Sequence, residues 1–140
     1  MHELRNNIKL VTLIPLTIHN GDSNTDLAGD GVDTKNGESE SFDTALVTAV
    51  IGAVGADVST ATLTIQEDDE SDFSGSPTTA EGGDAVDIIA GDLTQTFQIK
   101  RTKRYLRAYL TVEEDGAADD VEIAVTAVLC NWAKPFPIIA

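Results

Sequence analysis

A chain of 140 residues is long enough for one domain with a real core and too short for two of ordinary size. Its formal net charge of −15 sets up a field that repels phosphate, which argues against general affinity for nucleic acid or anionic membrane. Aromatics make up 5% of the residues and there is 1 cysteine, so the core must rest on Val, Ile, Leu and Ala, with no internal disulfide and no multi-cysteine zinc site.

The first apolar stretch, "KLVTLIPLTI", is broken by Thr12, Pro15 and Thr17, follows Glu3, and is not followed by a small-residue cleavage site, so it does not read as a signal peptide. It predicts an extended segment over residues 8–18, with Pro15 marking an edge strand or a kinked arm. The polar stretch from His19 to Ser41 is rich in Asp, Asn and Gly, lacks periodicity and reads as a long loop. "FDTALVTAVIGAV" (42–54) is an unbroken apolar run open to a helix or a strand. Its Val and Ile content, with Gly52 and Gly55, favours a buried strand.

"STATLTIQ" (59–66) alternates with a period of two, Ala61, Leu63 and Ile65 against the threonines. Residues 67–84 form an acidic, Gly- and Pro-punctuated loop, "AVDIIAGDL" (85–93) a short apolar element, and "TQTFQI" (94–99) another strand. After a basic turn, Leu106, Ala108, Leu110 and Val112 define an inward face, and Tyr105, Arg107, Tyr109 and Thr111 an outward one. "EEDGAADD" is a turn. The strand 121–129 follows, with Val121, Ile123, Val125, Ala127 and Leu129 on one side, and Cys130 in this run reads as a core thiol. The tail "NWAKPFPIIA" has two prolines and cannot continue a sheet. Short strands separated by turn signals predict an all-β, single β-sandwich or jelly-roll-like domain over residues 32–130. An N-terminal arm and polar loop (1–31) would precede it, and a Pro-rich tail (131–140) would follow.

Two stretches invite a functional reading. "KRTKRYLRAYLTV" gathers five of the nine Lys and Arg residues beside both tyrosines, and the acidic stretches 67–72 and 113–115 are available to offset that charge. The loop "DSNTDLAGDGVD" places Asp22, Asn24, Asp26, Asp30 and Asp33 at the spacing of an EF-hand-like calcium loop. Leu27 stands where that loop needs glycine, Asp33 replaces the bidentate glutamate, and no helices flank it, so a solvated loop is the stronger reading. No nucleophile elbow, phosphate loop or H-E-x-x-H occurs, and the dense carboxylates lie in polar loops; the expectation is a protein that is not an enzyme.

The order "TLTIQEDDESDF", "GDLTQTFQIKRTKRYLRAYLTVEEDG" and "VEIAVTAVLCNWAKPFP", preceded by "VDTKNGES", resembles the head decoration (capsid cement) proteins of tailed bacteriophages over about residues 32–137. Asp43 to Ala45 interrupt the family's apolar strand start, and Cys130 stands where glycine is common. The resemblance implies a β-sandwich or jelly roll on the outer surface of the virion capsid, made in the host cytoplasm. Its implied partners are the major capsid protein and further copies of itself, as a dimer or trimer, with no nucleic acid or membrane partner and no cofactor. Candidate contact residues are Arg104, Tyr105, Arg107 and Tyr109 on the basic strand, of types enriched at interface hot spots. Leu13 and Leu16 in the arm and Trp132 and Phe136 in the tail complete the set. The rival readings are a neck or tail-surface module of the virion and a secreted calcium-dependent binding module.

Overall fold

The computed structural model describes residues 8–20, 26–36, 40–117 and 119–130, and every regular element among them is a strand. In chain order these are β1 (Ile8–Asn20), β2 (Leu27–Ala28), β3 (Val32–Asp33), β4 (Lys35–Asn36), β5 (Glu40–Ser41), β6 (Thr44–Val54), β7 (Val58–Asp68), β8 (Thr78–Thr79), β9 (Val86–Asp87), β10 (Leu93–Lys100), β11 (Tyr105–Glu114) and β12 (Asp120–Cys130). The first sheet runs β1-β12-β6-β10; the second is built on β11 and β7, with β2 and β3 along one side and β8 and β9 along the other. All pairings are antiparallel, and β4 and β5 form a separate small hairpin.

Period-two patterning explains the two layers. Ala61, Leu63 and Ile65 of β7, Leu106, Ala108, Leu110 and Val112 of β11, and Val121, Ile123, Val125, Ala127 and Leu129 of β12 all point into one core between the sheets. The unbroken apolar run of β6 is a strand with two apolar faces. Ala45, Val47, Ala49 and Ile51 face the core, while Leu46 and Val50 face outward. The departure at Asp43–Ala45 does not disturb its register, since β6 opens with Thr44 opposite both Cys130 and Lys100. Cys130, expected in the core, is only partly buried and faces away from it.

The described part of the expected arm belongs to the sandwich, so the boundary at residue 31 moves. β1 pairs with β12 along its length, β2 pairs with β11, and Leu13 and Ile14 are buried in the core. Each such side chain contributes about 1.5–3 kcal/mol, enough to hold an edge strand in place. Register shifts fall between Thr12 and Ile14 and between Ile14 and Thr17, and the second spans Pro15, which lacks the N–H a regular ladder needs. A second correction concerns the acidic stretch 67–84: Glu67 and Asp68 end β7 and are buried. The hairpin that follows closes over β10 at Gly82, where φ is 86° and an added Cβ would lie 1.9 Å from the Gln98 carbonyl oxygen. Residues 131–140, including Trp132 and Phe136, lie outside the described residues.

Candidate interaction surfaces

The basic strand is satisfied within the chain. Arg104 donates Nε and Nη2 to the two Asp33 carboxylate oxygens at 3.0 and 2.7 Å. That guanidinium holds the Asp33 carboxyl at about 2, below the usual carboxylate range. Arg104 also lies 5.1 Å from the centre of the Tyr105 ring. Arg107 lies over two rings, 4.3 Å from the centre of Phe73 and 5.1 Å from that of Tyr109, and donates to Gln66 at 2.9 Å. Tyr109 donates its hydroxyl to Asp26, and burial together with that bond pushes its phenol up. Phe73 reaches Arg107 from a loop residue with φ of 56°, a link that alternation in β11 alone does not reveal.

The turn before β11 is pinned by the buried Glu67. One carboxylate oxygen accepts the backbone N–H groups of Thr102 and Lys103 at 2.8 and 3.1 Å, and the other accepts the Thr102 hydroxyl. Asp69 accepts the Arg104 N–H at 3.3 Å, Arg101 donates to the Phe42 carbonyl, and Lys103 donates its ammonium to the Ser76 carbonyl at 2.9 Å. Asp68 is desolvated, which raises its carboxyl, but N–H donation from Glu70, Ser76 and Asp69 outweighs this and leaves it below its ordinary value. The acids of 67–69, from one of the two acidic stretches the sequence offered, thus offset the basic turn across 35 or 36 positions of chain.

The calcium-like loop does not assemble a cation cage among its described members. Asp33 is bound to Arg104, and Asp26 accepts from Tyr109 and from the Val112 N–H, so both carboxylates are engaged elsewhere. Among the described residues no group of three or more His, Cys, Asp or Glu converges on a metal position. Asp22 and Asn24 lie outside the described residues, and Asp30 is placed by its backbone N–H on the Leu13 carbonyl.

Among the described residues, exposed apolar surface is concentrated on the outward face of the first sheet. Six of the seven large apolar side chains exposed among the described residues lie there: Ile8, Leu10, Leu16 and Ile18 of β1 and Leu46 and Val50 of β6, between 45% and 85% exposed. Register arranges this face in rows. Thr12, Thr126, Thr48 and Thr96 align across all four strands. On one side of that threonine row lie Leu10, Val128 and Leu46, ending at Gln98; on the other, Ala124, Val50 and Thr94, with Leu16 in the bulged segment beside them. These three rows carry no charged side chain, in a chain with 24 acidic residues; Lys100 and Glu122 stand at opposite ends of the sheet. A depression of about 650 Å³ opens at the Lys100 end of this face, lined by Thr44, Leu46, Gln98, Lys100, Val128 and Cys130 among others. Of the arm candidates, Leu16 is on this face, whereas Leu13 is buried and unavailable for contact.

No family model matches the chain, and no curated protein does. Among solved structures, the crystal structure of PBSX exported protein XepA aligns over 94% of this chain with a TM-score of 0.62 and 16% identity. This chain covers 40% of the length of XepA. The likeness is one of fold, and the fold defines the class: an all-β, two-sheet antiparallel sandwich.

Proposed function

We propose that this chain is a non-enzymatic structural protein of a tailed-phage particle, bound to the outer surface of the assembled capsid, which it stabilises. The observation that carries the reading is the distribution of surface chemistry. An uncharged apolar sheet face on an otherwise acidic chain suits a protein built into an assembly, because such a patch is costly to leave in water. The order of the β10, β11 and β12 sequences resembles capsid decoration proteins, and PBSX exported protein XepA shares the fold. Stabilisation would follow from linkage: a protein that binds only the assembled shell shifts the equilibrium away from disassembly by its binding free energy. Several copies joined to one another would add avidity to weak single contacts. The test is heat release of DNA from particles made with and without the protein. The reading expects release at lower temperature without it and recovery on adding it back; equal release temperatures would sink it.

A second reading follows from the fold neighbour being an exported protein: a product that leaves the cell as a binding module. It requires the protein in the culture medium and its absence from purified particles.

A further inference from the structure

We infer that the outward face of the first sheet is the interface between two copies of this chain, stacked face to face about a two-fold axis lying along the threonine row. The inference rests on reading the chain as an assembly protein, but not on the capsid being the assembly. Three features select a second copy as the occupant.

The first is charge. A copy with a net charge of −15 repels another wherever acidic surfaces meet, and the three central rows of this face are where that repulsion has no side chain to act through. The second is area. The three uncharged rows make up about half of the face, whose four strands, spaced about 4.8 Å apart with a rise of about 3.3 Å per residue over the 11 residues of β6, present roughly 700 Å² in all. That is close to the ~800 Å² per partner of a standard specific interface. The third is self-complementarity, which an isologous contact demands. A half-turn about the threonine row lays the row Leu10, Val128, Leu46 of one copy on Ala124 and Val50 of the other, with Leu16 in the bulged segment beside them. Leu46 then meets Val50, and the bulkier Val128 meets Ala124. Stacking of this kind reproduces the sheet-on-sheet packing, about 10 Å apart, already present inside each copy.

Sedimentation equilibrium of the full chain at micromolar concentration is expected to give twice the chain mass. Leu46→Glu and Val50→Lys, each alone, place an unpaired charge against an apolar row and should weaken association by at least ~100-fold. Mixed one to one, the two variants set the introduced carboxylate of one copy against the introduced ammonium of the other, and association should recover by ~10-fold or more over either alone. Ile89→Glu, an exposed apolar position off this face, should leave the dimer intact, and thermal melts of each variant show that it has folded. A chain that stays monomeric to ~100 µM, a trimer, a Leu46→Glu dimer, or monomers that fail to recover on mixing would each overturn the proposal. A monomer that still binds phage heads would do so while leaving the proposed function standing.

Discussion

Removing the Glu67 side chain tests how the basic turn is held. The buried carboxylate accepts two backbone N–H groups and one hydroxyl, and Glu67→Ala leaves both N–H groups of a partly buried turn without partners. Hydrogen bonds to a charged acceptor contribute about 1.5–3 kcal/mol each, and partial access of water to the vacated turn offsets part of the sum. We therefore expect a loss of about 3 kcal/mol, which at about 3–5 °C per kcal/mol for a domain of this size lowers Tm by roughly 10 °C. Glu67→Gln separates geometry from charge. Its amide oxygen can accept both N–H groups, and its NH2 can donate to the Thr102 hydroxyl, which reverses its role. Only the charge assistance is lost, about 1 kcal/mol. Urea denaturation of the three proteins gives the values directly. Equal losses for Ala and Gln, or a loss below about 0.5 kcal/mol for Ala, would refute the picture of Glu67 as the acceptor that pins the turn.

Three further outcomes are expected. The Asp33 carboxyl is held at about 2, below its ordinary 3.8, so its contribution is complete above the ordinary value and is lost as pH falls through that window. Asp33→Asn should flatten the stability profile between about pH 4 and pH 2, and should cost about 1 kcal/mol or less at pH 7 because the pair is well exposed. Gly82→Ala drives a Cβ into the Gln98 carbonyl and should destabilise the chain by about 2–4 kcal/mol in the same urea assay. Phe73→Ala removes a buried ring and one of the two rings that Arg107 lies over, with an expected loss of about 3 kcal/mol, whereas Tyr109→Phe, which keeps the ring, should cost about 1 kcal/mol.

The fold was legible where one face of a strand is wet. β7, β11 and β12 alternate cleanly, and each expected inward residue is in the core. The long apolar run of β6 left helix and strand open because both of its faces are apolar. That ambiguity was itself the signal of an outward apolar face, readable only once pairing set Leu46 beside Val128 and Val50 beside Ala124. The basic strand drew attention because charge clusters stand out in a sequence. Its partners Asp33 and Gln66 lie 71 and 41 positions away along the chain, and with Phe73 they come together only through tertiary pairing. The arm was read as separable because Pro15 breaks a regular ladder. The fold instead absorbs the proline within the second of two register shifts and buries the residues just before it.

The structural role is tested most directly by the number of copies in purified virions relative to the major capsid protein, measured by quantitative mass spectrometry. A capsid-bound stabiliser predicts a fixed ratio matching a symmetry site repeated over the whole shell. A handful of copies per particle would place the chain at the neck or tail, and its absence from particles would contradict the structural role altogether.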